Sequence, residues 1–522
     1  MDVEIILALL TVMLALVVVA RRLGIPYPIL LVLGGLAISL VPGLPRVVLD
    51  PNLVFVLFLP PIIQLSAYYT PTRDFRANLR SISLLAIGLV LVTMVAVAVV
   101  VHNIIPAMPW AAAFVLGAIV APPDAVAASS IARRLNLPRN VVAVLEGESL
   151  LNDATSLVAY RAAIAAVVSG VFSFMDAGMR FFVTSLGGVA VGVVVCLVLT
   201  PVFRRLVDDI PVYLILTFLS GFAAYLLAEA LHVSGILAVI TLGIMYGQPR
   251  FNTMTPELRL QGTAIWDIVV FSLNGLIFIL IGLQLRGLVE RLPGESLTHA
   301  LWYALMVCLT LIVVRMIWVF PGAYLPRMLL REPLPPWQHT VVVGWTGMRG
   351  IVSLASALAL PLVTASGAPF PQRDLIVFLS FSVILFTLVA QGLSLPLLIR
   401  WLHVTGDGSE EREINKARFR AAQAAQERLH ELADSGKISA EIAQKLKHRY
   451  QSRVRLYSAR YHGEEDKAQE ELSSLFNELE QDLIGTELVA LLALRNKGII
   501  NDAVMRQVQR DLDFEWLRLQ DG

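Results

Sequence analysis

An all-α polytopic membrane protein is the fold this 522-residue chain predicts, and three observations predict it. Hydrophobic residues make up 57% of the composition and charged residues only 16%, with a mean hydropathy of +0.72, too apolar for an ordinary soluble domain. Apolar runs long enough to cross a bilayer recur along the first 400 residues. Charge is segregated as well: residues 1–400 hold 23 Arg, no Lys and 18 acidic residues, whereas 401–522 hold 18 basic and 22 acidic ones. A transmembrane domain over 1–402 and a soluble, charged, helical domain over 403–522 follow. The net charge of +1 argues against a nucleic-acid partner.

Taken in order, the apolar runs predict about thirteen spans, near 3–20, 27–42, 51–69, 80–103, 108–132, 137–168, 180–203, 211–230, 234–248, 262–289, 297–325, 338–364 and 373–402. The first begins Met1-Asp2-Val3-Glu4, without the basic start of a signal peptide, so it counts as a helix. Arginines orient the set. With the first loop cytoplasmic, fourteen loop arginines (21, 22, 73, 76, 80, 133, 134, 139, 204, 205, 250, 259, 327 and 331) fall on that side and five (46, 180, 286, 291 and 373) on the other. The bias places the N-terminus outside and the C-terminal domain in the cytoplasm of a cell-membrane protein. Cys196 and Cys308 lie in apolar segments without metal-ligand spacing and read as packing residues. In the tail, Ser409 and Ser439 are candidate helix caps and Gly436 a helix end. Ile442, Leu446, Tyr450, Val454 and Tyr457 form an apolar stripe, read either as bundle or dimer packing or as a regulatory face.

Two spans are predicted to break. Pro122 and Pro123, before Asp124, remove two backbone donors inside the fifth. Gly344, Gly347 and Gly350, around Thr346 and Arg349, permit unwinding inside the twelfth. Non-helical backbone at membrane depth is tolerated only inside protein or along an aqueous cavity. If helices 1–6 and 8–13 are two repeats joined by helix 7, both breaks fall in the fifth helix of a repeat, the pattern of an inverted-repeat secondary transporter.

The most informative stretch is Gly147 to Thr155, GESLLNDAT, which sets Glu148, Ser149, Asn152 and Asp153 within the sixth span. An ionisable group near a bilayer centre costs about 2.5–3.5 kcal/mol on insertion scales, so such groups are kept mainly for ion or proton work. Helical spacing pairs Glu148 with Asn152 and Ser149 with Asp153, giving two adjoining stripes of oxygen. Hard monovalent cations prefer such carboxylate, hydroxyl and carbonyl oxygens. Burial favours the neutral carboxyl and a bound cation favours the carboxylate, so proton and cation compete at Asp153. With alternating access, that competition is antiport.

These motifs carry a resemblance. APPDAVAA, EGESLLNDATSLVAY, GWTGMRGIVSLA and WDIVVFSLNGLIFILIGLQL are similar to the bacterial sodium/proton antiporters of the monovalent cation:proton antiporter-1 family over about residues 1–402. The resemblance implies a homodimer, thirteen helices with crossed discontinuous segments, and exchange of protons for Na⁺ or Li⁺, sometimes K⁺. These ions are cargo, and no resident cofactor is expected. Residue by residue, Asp153 matches the exchanging carboxylate, Asn152 its neutral neighbour, and Ser149 and Asp124 cation ligands. Pro123 stands where relatives carry a threonine, keeping the backbone carbonyl. Glu148 and Arg349 match a buried ion pair. In the third span, Ile62 to Ser66 lack the glutamate that some relatives place there.

Because Asn152 cannot titrate and the membrane domain lacks lysine, one-for-one, electroneutral exchange is expected. Arg161 is read as neutralising the cavity or snorkelling, Glu229 and Asp267 as hydrogen-bonded structural carboxylates, Glu146 as flanking a cytoplasmic funnel, and His102, His232 and His299 as solvated at helix ends. Rival readings are a K⁺/H⁺ antiporter, a cation channel, and an intramembrane aspartyl protease using Asp124 and Asp153. A channel would repeat its selectivity loop around a symmetric pore, and the protease would leave Ser149 and Asn152 without a part.

Overall fold

Where no water can bond the backbone, a chain closes its hydrogen bonds within each segment, and the helix is the local solution. The computed structural model describes residues 3–42, 54–124, 135, 137–170, 174–248, 254–290, 297–331, 333–365, 367–404, 408–462, 467–497, 499 and 501–520. Among these, helices account for the fold, and the one isolated bridge joins Val363 to Pro369. Contacts divide the chain into a unit ending at residue 406 and another beginning at 407.

In the first unit, α1 (Val3–Leu23) and α2 (Tyr27–Ser39) are followed by α3 (Val54–Tyr69), α4 (Leu79–Ile104), α5 (Trp110–Val120) and α6 (Arg139–Ser169). Then come α7 (Phe174–Arg205), α8 (Ile210–Ala230), α9 (Gly235–Tyr246), α10 (Pro256–Leu283) and α11 (Leu297–Leu330). A split helix, α12a (Trp337–Trp345) and α12b (Ile351–Leu358), precedes α13 (Arg373–Trp401). Helix is thus found in each of the thirteen predicted spans among the described residues. Positions 125–132 of the fifth span, and Arg46, Arg133, Arg134, Arg250 and Arg291 of the loops, lie outside them.

Seven described helices, α1, α4, α7, α8, α10, α11 and α13, are long and apolar enough to cross a membrane. The 31-residue α6 is not among them, for it carries Glu146, Glu148, Asn152, Asp153 and Arg161. Helices α7 and α5 show the two extremes of burial. Met175, Phe182 and Leu186 of α7 are exposed, as suits a lipid-facing helix, whereas α5 buries every residue from Val115 to Val120. Backbones approach closest where α2 crosses α10: a Cβ at Gly35 would overlap the Ile279 carbonyl, and one at Gly282 the Val32 carbonyl.

The two breaks form as the residues dictate, and they form against each other. Helix α5 stops at Val120, ahead of Pro122 and Pro123, which cannot donate to the preceding turn. In a continuous helix the Asp124 N–H would bond the Val120 carbonyl. Here it donates to the Met348 carbonyl at 2.6 Å, and Arg349 Nε takes its place on Val120 at 2.9 Å. Helix α12a stops at Trp345, Thr346 Oγ1 turns back to the Val343 carbonyl at 2.9 Å, and the chain stays non-helical to Gly350. Gly344, expected in the unwound stretch, is helical: the unwinding is confined to Thr346–Gly350, where two further glycines lie.

The second unit holds α14 (Ser409–Asp434), α15 (Ala440–His462), α16 (Lys467–Asn496) and α17 (Asp502–Gln520). Ser439 accepts from the Ile442 N–H at 3.4 Å at the start of α15. Ser409 is not a cap but the first residue of α14, entered from Gly408 at φ +63°. Gly436 adopts φ +67° just beyond α14, where the helix ends. Of the predicted stripe, Tyr457 is buried and Leu446, Tyr450 and Val454 half-buried, with Arg418 of α14 over the Tyr457 ring at 5.9 Å; Ile442 stays exposed. Packing between α14 and α15 accounts for that face.

Candidate cation site

A cavity of about 70 Å³ opens where α3, α6, α10 and the two breaks meet. Its polar lining comprises Asp124, Ser149 and Asp153, together with Ser66, Asn274 and Ser353; Ile63 and Phe278 are among its apolar walls. The spacing of α6 puts Ser149 and Asp153 one turn apart on the same wall. Asp124 reaches it because the Pro122-Pro123 break ends α5, and its carboxylate lies so close to Gly350 that a Cβ there would overlap it. That position is the start of α12b, where the helix dipole favours a negative charge. Pro123 also lines the cavity, and its carbonyl accepts from Asn152 Nδ2 at 3.4 Å. Asn152 is fully buried, and its Oδ1 has no hydrogen-bond partner. Two carboxylates, hydroxyls and a carbonyl around a small cavity are a hard-oxygen environment suited to one cation.

The expected pair of Glu148 with Arg349 does not form. Glu148, 1% exposed, is taken by Arg315 of α11, whose two terminal nitrogens donate to the two carboxylate oxygens at 2.5 and 2.8 Å. Arg315 also donates to the Val343 carbonyl, at 3.1 and 3.3 Å. Arg349, 1% exposed, donates instead to the carbonyls of Val120, Ala121 and Gly347, and its own N–H bonds Thr387 Oγ1 at 3.1 Å. The physical reason is the break itself: α5 leaves its last carbonyls without backbone donors, and the guanidinium supplies them. Arg315 went unremarked in the sequence, although an arginine in the middle of a 34-residue apolar helix, well away from its ends, is the signal that finds it.

Other ionisable groups fall outside the cavity. Arg161 Nη2 donates to both carboxylate oxygens of Glu229, at 2.9 Å each. Asp267, expected to be hydrogen-bonded, is exposed on α10 beside the exposed Ile265 and Ile268. His102 contacts the Met108 carbonyl at 2.8 Å and stacks on Trp110. Neither His102 nor His232 nor His299 lines the cavity.

This arrangement has relatives. The family profile described as sodium/hydrogen exchanger, transmembrane, matches residues 6–401. The chain belongs to that family. It is 36% identical over 529 residues to a protein of Mycobacterium tuberculosis described as an uncharacterised Na⁺/H⁺ exchanger, covering 99% of this chain and 96% of the relative. A Bacillus subtilis sodium, potassium, lithium and rubidium/H⁺ antiporter is 38% identical over 388 residues, 72% of this chain and 58% of the relative. Among solved structures, the sodium proton antiporter MjNhaP1 of Methanocaldococcus jannaschii superimposes with a TM-score of 0.61 at 17% identity, covering 77% of this chain and 98% of that one. The exchanger is therefore a multi-pass membrane transporter with the NhaP1-type helical fold, and neither a channel nor a protease. Ser66, Asn274 and Ser353 of its cavity were not picked out by sequence reasoning as site residues. Neutral side chains in apolar helices carry no penalty large enough to stand out.

Proposed function

We propose that the exchanger passes a proton and a monovalent cation in turn through this one cavity, with Asp153 as the exchanging carboxylate. Asp124, Ser149 and the Pro123 carbonyl hold the cation, Na⁺ or Li⁺, when the proton has left. The single observation that carries the reading is that Asp124, delivered by one broken helix, and Ser149 and Asp153 of α6 line the same cavity. A cation between the carboxylates offsets their charge, and a proton on Asp153 does the same once the cation is gone, so each displaces the other. Asn152 stays neutral throughout, fixing the Pro123 carbonyl. Because one cation or one proton offsets the same single charge between Asp124 and Asp153, and Asn152 carries none, exchange is one for one and electroneutral.

Glu148, held by Arg315, is architectural, and so is Arg349. The loop arginines support a cell-membrane protein with its N-terminus outside and the 407–522 unit in the cytoplasm. Asp267, exposed among apolar side chains of α10, supports a homodimer, since a carboxylate facing lipid alone is costly. Acid-loaded proteoliposomes test the core reading. External Na⁺ or Li⁺ collapses the pH gradient without building a membrane potential, and Asp153→Asn abolishes the response. Cation uptake without proton release, or retained exchange in Asp153→Asn, sinks it. The same vesicles given K⁺ and Rb⁺ show whether selectivity is as broad as the name of the Bacillus subtilis relative.

A further inference from the structure

We infer that Ser353 is a ligand of the transported cation, contributed by the second broken helix. The inference rests on the exchange reading above and adds a donor to it. Ser353 is 1% exposed, lines the cavity with Asp124 and Asp153, and its Oγ has no hydrogen-bond partner. Buried hydroxyls are rarely left so. Several others in this unit turn back to the carbonyl one turn earlier, as Thr155 does to Leu151, Thr200 to Cys196, Ser380 to Ile376 and Thr387 to Val383. Ser353 forgoes that bond, for the residue four before it is Arg349, within the break. Its lone pairs remain available beside a cavity already lined by two carboxylates.

Placement says which ion it meets. Ser353 sits in the first turn of α12b, three residues after Gly350, the residue against which the Asp124 carboxylate rests. The break that positions Asp124 therefore positions Ser353 beside it. Helix α3 supplies Ser66 to the lining and no carboxylate. The cation's shell is thus completed by a neutral hydroxyl from α12b, leaving the site's charge to Asp124 and Asp153 alone. A hydroxyl contributes lone-pair oxygen without a titrating charge, so the added ligand leaves one-for-one exchange intact.

The test uses the full chain in proteoliposomes, with Na⁺, Li⁺ and K⁺ titrated at fixed pH for the wild type and for Ser353→Ala, Ser353→Thr and Asp153→Asn. Ser353→Ala raises the half-saturating concentration several-fold, by different factors for the three ions, with maximal rate near wild type; Ser353→Thr, which keeps the hydroxyl, restores most of the loss. Unchanged half-saturation and ion ratios overturn the inference. So does an equal change for all three ions, or a threonine variant no better than alanine. The Asp153→Asn arm separates the two readings. If it still exchanges, the site itself is misplaced; if it is inactive while Ser353→Ala matches the wild type, only the role of Ser353 falls.

Discussion

Arg315 and Arg349 are both buried at membrane depth, 2% and 1% exposed, yet each is satisfied in a different way. Arg315 meets a full opposite charge, the Glu148 carboxylate, in a bidentate pair. Arg349 meets backbone carbonyls, two of them at the end of a helix cut short by prolines. A guanidinium can thus be housed in an apolar core by a carboxylate or by the negative end of a broken helix. The lesson is that a charged residue beside a helix break need not signal a charged partner.

Removing one arginine at a time separates the two modes. Arg315→Met leaves Glu148 charged and buried, and loses the most stability, about 3–5 kcal/mol. Thermal unfolding of purified protein in detergent reads this, and the double variant Glu148→Gln/Arg315→Met recovers most of it. A double variant as unstable as the single one would show that the pair is not what matters. Arg349→Met strips donors from neutral carbonyls and costs less, about 1–3 kcal/mol, with no recovery on adding Glu148→Gln. Equal rescue of both arginines would erase the distinction.

Gly350→Ala, which touches neither guanidinium, forces Asp124 aside. The overlap costs about 1–3 kcal/mol, while cation affinity in proteoliposomes falls far more than stability implies. Wild-type affinity in that variant would mean that Asp124 is not held where the cation binds. At the small end, Arg161→Met breaks a partly exposed pair with Glu229 and shifts the unfolding midpoint by less than about 1 kcal/mol of stability. A larger loss there would place Arg161 in the buried class with Arg315.

Much of this was legible in the sequence because the membrane penalises deviation. Span positions follow from apolar runs, and the breaks at Pro122-Pro123 and Gly347–Gly350 from residues that helices avoid. Asp124, Ser149 and Asp153 converge on one cavity, as their motifs suggested. The partner of Glu148 was not legible from spacing. Arg315 and Arg349 are both plausible by composition, and only the packing of α11 against the break decides between them. Ser353 was silent for the opposite reason: a small neutral residue in an apolar helix breaks no rule that a sequence can display. Ser409 misled because a serine ahead of Glu410 and Glu411 fits a cap, while the left-handed Gly408 had already set the helix entry.

The exchanged bonds between the two breaks limit how the protein can open. Asp124 N–H to Met348, and Arg349 Nε to Val120, tie each interrupted helix to the other at membrane depth. Bending at either interruption alone would strand polar backbone where no water waits. The crossing is therefore expected to travel as one block, with any rearrangement falling between it and the other cavity-lining helices, α3 and α10, which present Ser66 and Asn274.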